Sequence, residues 1–199
     1  VCKTVQGVNV LEMMGRSHSM TITPAYGKPL NDLYCTFCGQ CSSVCPVGAI
    51  TEKDDTDQVW KAIHQDDMHV VVQVAPAIRV SLGEEIGLEA GNIVTGKIVT
   101  ALKLLGFDEV FDTDFTADLT IIEEGNELLY RIKNNGVLPM MTSCCPGWIN
   151  FAEQHFPEIL DHLSSCKSPQ QMFGALAKTY YAKKLGIDPK NLFVVSIMP

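Results

Sequence analysis

Two neighbouring cysteines, Cys144 and Cys145, stand directly before a proline in the stretch TSCCPGW. A disulfide between sequence neighbours strains both the peptide unit and the disulfide dihedral, so these two thiols are poor partners for one another. A thiol ligates a metal only after it has lost its proton. We therefore expect the two cysteines to have different chemical roles.

A second group of cysteines has a regular spacing. The run CTFCGQCSSVCP places Cys35, Cys38, Cys41 and Cys45 in the pattern C-x2-C-x2-C-x3-C-P of bacterial ferredoxins. Two-residue spacers let the backbone wrap so that three thiolates reach three irons of one 4Fe-4S cubane, and Gly39 gives the chain freedom near the metal. A zinc site or a disulfide staple is the alternative, although zinc sites usually use two separated CxxC pairs.

The fourth cysteine of such a run ligates a different cluster in two-cluster ferredoxins. The first three cysteines therefore need another ligand, and Cys2 is the remaining cysteine of the amino-terminal part. A free core cysteine is the alternative for that position. Cys45 needs three companions that are not present before it, so we expect its cluster to be absent or incomplete.

The composition limits the classes of partner. The chain has 199 residues, 46% of them hydrophobic, with a formal net charge of -8 and a pI near 5.0. Nucleic acids and anionic membranes attract clustered Lys and Arg, so neither is an expected partner. The longest apolar run, VVVQVAPAIRV, is too short to span a bilayer and no signal peptide is visible, which favours a cytoplasmic protein.

The apolar pattern predicts an α/β fold, a parallel sheet with flanking helices, and the cysteine run predicts a partial α+β ferredoxin-like domain before it. The predicted domains are residues 1–55, with the cysteine run and a strand in TITPAY, and residues 56–199, joined by the polar stretch TEKDDTDQ. In the second domain, strands are expected in MHVVVQVA, EVFD, VLPMMT and LFVVSIM, and helices over residues 84–105, 116–134, 147–155 and 169–185.

Ligands in such sheets bind beyond the carboxyl ends of the strands. Three loops meet this description: Ala75-Pro76-Ala77, Ser143-Cys144-Cys145-Pro146 and Met198-Pro199. We expect one crevice to hold all three loops, with proline stiffening its walls. Ordinary strand-to-helix turns are the alternative.

The ordered series VQGV, KPL, FCGQC, QVAPAIRVSLGEE, EEGNELLYRI, TSCCPGW, KSPQQ and a final MP resembles the large, catalytic subunit of FeFe (iron-only) hydrogenases. The resemblance covers essentially the whole chain, and it identifies residues 56–199 as the N-terminal portion of the active-site domain. The first active-site motif of the family is complete. The second begins with MPC, and the sequence stops one residue before that cysteine, so we expect a fragment.

The resemblance implies an active centre, the H-cluster, in which a 4Fe-4S cubane is joined through a cysteine thiolate to a di-iron unit. That unit carries CO, cyanide and a bridging dithiolate amine. Carried over, Cys145 is a thiolate ligand of the cubane and Cys144 is the thiol that relays a proton to the amine. Ordinary thiols, with a pKa of about 8.5, stay mostly protonated at neutrality, which suits the second role.

The resemblance also implies a proton path through Cys144, Glu124, Ser164, Glu127 and Arg131. Its two glutamates and its arginine lie at i, i+3 and i+7, so they share one face of a predicted helix. An exposed, salt-bridged helix face is the alternative for these three residues.

The resemblance also implies which residues line the di-iron site. Ala77 departs from relatives that have serine there, which removes one hydrogen-bond donor. Cys166 matches no ligand position of the family and is interpreted as a structural cysteine. The residues implied in cofactor binding are Ala75, Pro76, Ser168, Pro169 and Gln170.

The implied function is an oxidoreductase that interconverts H2 with protons and electrons. Its 4Fe-4S clusters exchange electrons with ferredoxin, and the parent enzyme requires hydrogenase maturation proteins. With further cubane ligands expected beyond Pro199, the fragment alone is expected to be inactive. A non-catalytic iron-sulfur carrier or assembly factor related to hydrogenases is the alternative, although that branch tends to lack the first cysteine of the Cys144 and Cys145 pair. A simple ferredoxin-like carrier would not explain the α/β part.

Overall fold

The structure, a computed structural model, describes residues 1–198. The chain divides into two compact units. The first contains residues 1–53 and 139–163, and the second contains residues 54–138 and the described residues from 164 onward. No helix in the described part of the chain is long and apolar enough to cross a membrane. The predicted domain boundary near residue 55 remains a prediction.

The strands are β1 (Leu11–Met14), β2 (Thr21–Pro24), β3 (His69–Val74), β4 (Glu109–Asp112) and β5 (Leu192–Ile197). The helices are α1 (Gln40–Ser43), α2 (Thr56–Ile63), α3 (Ile78–Glu85), α4 (Thr95–Leu105), α5 (Asp114–Lys133), α6 (Pro146–His155), α7 (Pro169–Leu176) and α8 (Ala182–Leu185). A π-helical turn, Ala177–Tyr181, joins α7 to α8.

In the first unit, β1 and β2 form an antiparallel pair in which Leu11 lies opposite Pro24. The strand predicted in TITPAY is therefore confirmed as β2. The short helix α1 starts after Gly39, whose φ of 75° lies in the left-handed region that glycine adopts without strain. Helix α6 starts at Pro146. The first N–H groups of a helix have no partner within the helix, so a proline there loses no hydrogen bond.

In the second unit, β3 lies between β4 and β5, and both neighbours run parallel to it. This arrangement confirms the predicted parallel sheet with flanking helices. The residues of β3 alternate between two cores, as a strand covered on both faces requires. One core contains Ala62, Val70, Val72, Val74, Val94, Ile98, Leu102 and Phe107, and the other contains Val71, Phe173, Ala177, Ala182 and Leu192.

Three secondary-structure predictions are wrong. The single helix over residues 84–105 is instead α3 and α4, because Gly87 and Gly91 adopt φ values of 79° and 81° and interrupt it. The strand in VLPMMT does not form; Met141 makes an isolated bridge with Leu163, and Pro139 has no N–H to donate to a ladder. The polar stretch TEKDDTDQ runs into α2, where Asp54 accepts hydrogen bonds from the Thr56 N–H at 2.9 Å and its hydroxyl at 2.6 Å.

The other predicted elements are confirmed with shifted ends. Strands β3, β4 and β5 lie in MHVVVQVA, EVFD and LFVVSIM. The helices predicted over residues 116–134 and 147–155 are α5 and α6. The helix predicted over residues 169–185 corresponds to α7, the π turn and α8 together.

Candidate functional site

The cysteine run forms a loop of the first unit in which backbone amides point at sulfur. None of the eight cysteines, all of which lie within residues 1–198, forms a disulfide. The Phe37 N–H approaches the Cys35 sulfur at 3.5 Å, and the Val10 N–H approaches the Cys2 sulfur at 3.4 Å. N–H donors of this kind stabilise a thiolate, the form in which cysteine ligates a metal.

The thiols of this loop act on one another electrostatically. Burial raises the pKa of Cys35, the Phe37 N–H opposes that shift, and the charges of Cys2, Cys41 and Cys38 raise it further. Four thiolates that repel one another suit a cationic iron-sulfur core, which relieves their repulsion. Across residues 1–198, no three His, Cys, Asp or Glu side chains group closely enough to hold a single metal ion. In a cubane each thiolate binds its own iron, so its ligands stand farther apart than those of a single ion. That Cys2, Cys35, Cys38 and Cys41 hold one 4Fe-4S cluster remains a prediction.

Cys45 lies in a different environment. The N–H groups of Val47, Ile50, Ala49 and Gly48 lower the pKa of its thiol, and the Ala49 N–H is 3.3 Å from the sulfur. The backbone amides of its own loop therefore favour the ionised form of the Cys45 thiol. The prediction that Cys45 belongs to an incomplete or absent second cluster remains a prediction.

Cys145 and Cys38 line the same cavity of the first unit. The cavity has a volume of about 440 Å³, opens to solvent and does not include Cys144 in its lining. A Cβ atom built on Gly147 would lie 3.7 Å from the Cα atom of Cys38, so the first turn of α6 runs close to the cysteine loop. The remaining lining residues are Gln6, Thr36, Phe37, Pro146, Gly147, Trp148 and Phe151.

Two side chains of α6 bind carbonyl groups of the cysteine loop. Asn150 Nδ2 donates to the Thr36 carbonyl at 3.3 Å, and Gln154 Nε2 donates to the Cys35 carbonyl at 3.4 Å. Both amides lie on one face of α6, four residues apart. The helix that follows Cys145 is thereby fixed to the loop that carries Cys35 and Cys38.

In the second unit, the predicted cofactor-binding residues lie at the carboxyl ends of β3 and β5. Ala75 is buried and donates its N–H to the Ile197 carbonyl at 2.9 Å, and Pro76 follows it at the surface. The Gln170 side chain donates to Ser196 Oγ at 3.0 Å. Ser168 caps α7 through a capping box with Gln171, and Pro169 occupies its first turn.

The single crevice predicted for three loops stays a prediction. The Ala75 loop and Met198 belong to the second unit, whereas residues 143–146 belong to the first. Pro199, the last residue of the third loop, lies outside the described residues.

Sequence reasoning missed Gln73, which organises the carboxyl end of the sheet. Its side chain is fully buried and donates to Ser196 Oγ at 2.8 Å and to the Gln170 carbonyl at 3.1 Å. Its Oε1 atom accepts from the Thr113 hydroxyl at 3.1 Å. The signal was available, because a polar residue inside the apolar strand VVVQV must find hydrogen-bond partners when it is buried.

Three predicted members of the proton path meet in the second unit. Ser164 Oγ donates to Glu127 Oε2 at 2.8 Å, and Arg131 donates to Glu127 Oε1 through Nη2 at 2.6 Å and Nε at 3.0 Å. The side chains of Glu127 and Arg131 are each only 14% exposed, so this pair is not the exposed salt bridge of the alternative interpretation. Glu124 lies one turn earlier on α5. Its links to Ser164 and to Cys144 remain predictions.

The surroundings of Glu127 favour its ionised form. Burial alone raises the pKa of a carboxyl group, but hydrogen bonds from Ser164, Arg131 and Ser165 outweigh burial and hold the pKa of Glu127 below its ordinary value. Glu127 is therefore held as a carboxylate at neutral pH.

Comparisons with known proteins find two matching family models. The family model described as "Iron only hydrogenase large subunit, C-terminal domain" matches residues 68–199, and a 4Fe-4S binding domain model matches residues 29–51. The chain is 52% identical over its whole length to the NADP-reducing hydrogenase subunit HndD of Solidesulfovibrio fructosivorans, of which it covers 35%. It is 54% identical to iron hydrogenase 1 of Clostridium pasteurianum over 77% of this chain and 27% of that protein.

Solved structures and more distant relatives complete the comparison. The apo FeFe hydrogenase HydA1 from Chlamydomonas reinhardtii superposes with a TM-score of 0.69 at 49% identity, over 72% of this chain and 37% of that one. The cytosolic Fe-S cluster assembly factor narfl of Danio rerio is 39% identical over 65% of this chain and 33% of its own length. The chain thus spans about a third of the length of these relatives. Since the hydrogenase model matches more than half of the chain, the protein belongs to the iron-only hydrogenase large-subunit family.

Proposed function

We propose that this chain is part of an iron hydrogenase that interconverts H2 with two protons and two electrons. Family membership supports the reaction class. The observation that carries the proposal is the hydrogen-bonded series Ser164, Glu127 and Arg131, because an enzyme that makes or consumes H2 must move protons and an iron-sulfur carrier need not. The partners in this proposal are ferredoxin for electrons and maturation proteins for cofactor insertion, and the proposed location is the cytoplasm.

The first unit serves electron transfer in this proposal. Cys2, Cys35, Cys38 and Cys41 would hold one 4Fe-4S cluster, and Cys145 would supply one thiolate to the cubane of the H-cluster. The H-cluster, when bound, supplies the iron chemistry that makes and breaks the H–H bond. The shared cavity of Cys38 and Cys145 supports a short path between the two cluster sites.

The second unit serves proton transfer. The 2.8 Å bond from Ser164 to Glu127 lies within the roughly 2.6 to 3.2 Å that direct proton transfer requires. A guanidinium group keeps its protons, so Arg131 acts by orienting Glu127 and by its positive charge. Cys144 and Glu124 would complete the path towards the di-iron unit.

The residues at the carboxyl ends of β3 and β5 would form the wall of the di-iron pocket. Ala75 and Pro76 supply a stiff turn with one fewer backbone donor. Gln170 and Ser168 supply polar groups of the kind that hold cyanide ligands, and the contact of Gln170 with Ser196 keeps its amide in place. Pro169 fixes the first turn of α7 beside them.

The experiment compares the matured, full-length parent protein with its Glu127→Gln variant. We expect unchanged iron content and at least about a hundredfold lower H2 evolution from reduced ferredoxin, because the relay loses its ionisable group. Glu123→Gln, an exposed change on the same helix, is the control and should leave turnover unchanged. An assembly factor would show no H2 evolution in any of the three proteins, and that result would refute the proposal.

A further inference from the structure

Three consecutive residues before α7 direct hydrogen-bond donors at one oxygen of Glu127. Besides the Ser164 hydroxyl, the Ser165 N–H and hydroxyl approach Oε2 at 3.0 Å and 3.1 Å. The Cys166 thiol approaches the same atom at 3.7 Å. Arg131 occupies the other oxygen, Oε1, so both oxygens of this carboxylate are engaged. A carboxylate has about four lone-pair sites, so the six donors named here, four of them on Oε2, exceed that number and must share sites.

The segment that presents these donors is itself held in place. The Cys166 N–H donates to Ser164 Oγ at 3.1 Å, which closes a tight turn between the two residues. Two residues later, the capping box of Ser168 fixes the start of α7. Ser164 is buried, with 6% of its surface exposed. The donors therefore reach Glu127 from a rigid part of the chain.

The proton path needs the Ser164 hydroxyl, but it gives no role to Ser165 or Cys166. We propose that Ser165 and Cys166 are positioning residues for proton transfer: they hold Oε2 of Glu127 against the Ser164 hydroxyl and keep that carboxylate ionised between transfers. This inference rests on the relay proposed above. In the transfer, the Ser164 hydroxyl proton moves to Oε2 while Ser164 oxygen accepts the incoming proton, so no group is oxidised or reduced.

A neutral thiol suits this position. Burial raises the pKa of Cys166, and although the Ser164 hydroxyl lowers it, the charges of Glu127 and Glu124 raise it further, so the thiol keeps its proton and remains a donor. A thiol is also a weak donor, and it yields readily when Oε2 takes up a proton. Among charged and titratable groups, Arg131 bonds to Glu127 on its own helix, Glu124 lies one turn earlier, and Cys166 approaches from the segment before α7. Helix α7, which packs against α5, carries no charged side chain.

The test uses the matured, full-length parent enzyme with Cys166→Ala and Ser165→Ala variants. Infrared difference spectra during a pH titration report the Glu127 carboxyl band, which is assigned by its loss in Glu127→Gln. The pH profile of H2 turnover is recorded on the same samples. Cys166→Ser is the conservative variant that keeps a donor, and Thr100→Ala, which removes an exposed hydroxyl of α4 bonded to the Gly96 carbonyl, is the matched control.

We expect both alanine variants to raise the pKa of Glu127 and to move the acidic limb of the turnover profile to higher pH. At the acidic midpoint of the parent enzyme, turnover should fall about threefold in Cys166→Ala, as befits the loss of one weak hydrogen bond. Cys166→Ser should recover the parent profile, and Thr100→Ala should not alter it.

Two other outcomes distinguish failure of the positioning role alone from failure of the proton relay. If the Glu127 band titrates as in the parent in both alanine variants, Ser165 and Cys166 do not position this carboxylate, and the relay itself still stands. If the band shifts and the turnover profile does not, Glu127 is outside the proton path, and the relay proposal fails together with the positioning role.

Discussion

Cys38 and Cys145 line one cavity, although they come from distant parts of the sequence. One belongs to the predicted ferredoxin-like cluster and the other is the proposed ligand of the active-site cubane. The first turn of α6 runs close to the Cys38 backbone at Gly147, and two amide bonds from α6 join it to the cysteine loop. The packing of α6 against the cysteine loop thus brings the two proposed cluster sites to one cavity.

The adjacent cysteines should respond differently to removal of their sulfur. Cys145→Ala in the full-length, matured protein should lose active-site iron, because it removes a proposed ligand. Cys144→Ala should keep iron and lose at least about a hundredfold of turnover, because it removes only the proposed proton carrier. Iron analysis and H2 evolution, measured on the same preparations, check both outcomes, and equal iron loss in the two variants would refute the division of roles.

The ionised form of Glu127 should contribute to stability in a pH-dependent way. Its folded-state pKa is depressed, so its contribution is present above the unfolded-state pKa and is lost as the pH falls through the folded-state pKa. Glu127→Gln should lower the free energy of unfolding by about 1 to 2 kcal/mol at pH 7, and the difference should shrink in acid. Urea unfolding at several pH values measures it, and a pH-independent difference would contradict the assignment.

Replacement of Gln154 should be nearly neutral for folding. Its Nε2 atom makes one long hydrogen bond, to the Cys35 carbonyl at 3.4 Å, whereas its buried Oε1 atom has no hydrogen-bond partner within the described chain. Gln154→Met loses the bond but also removes the unsatisfied acceptor, and these effects oppose each other. We expect a change in unfolding free energy within about 0.5 kcal/mol, measured by urea denaturation. A loss of 2 kcal/mol or so would mean that the amide is better bonded than its geometry indicates.

Replacing Gly106 or Gly125 by alanine should change the stability of the second unit in opposite directions. Gly106 has a φ of 105°, and a Cβ atom there would lie 2.8 Å from Ile63 Cγ2. Gly106→Ala should therefore lower the free energy of unfolding by at least about 1 kcal/mol. Gly125 lies inside α5 with nothing within 4 Å of a built Cβ, so Gly125→Ala should raise stability by up to about 1 kcal/mol. Thermal or urea unfolding of both variants shows whether each substitution lowers or raises the free energy of unfolding.

Features that depend on covalent spacing along the chain could be predicted from the sequence. The run from Cys35 to Cys45 fixes which thiols share a loop, and the apolar residues of β3 require a strand covered on both faces. Helix ends and loops were harder to predict from the sequence. Nothing in the apolar spacing of residues 84–105 reveals that Gly87 and Gly91 turn the chain between α3 and α4.

The sequence by itself determined the family and the parallel sheet, and it predicts which cysteines are ligands. Only the tertiary structure decided that Ser165 and Cys166 join Ser164 at Glu127, that Gln73 bonds to Ser196, and that α6 packs on the cysteine loop. The reason is physical: neighbours along the chain are fixed by bond geometry, whereas partners far apart in sequence are selected by the burial and hydrogen-bond satisfaction of the whole packed unit.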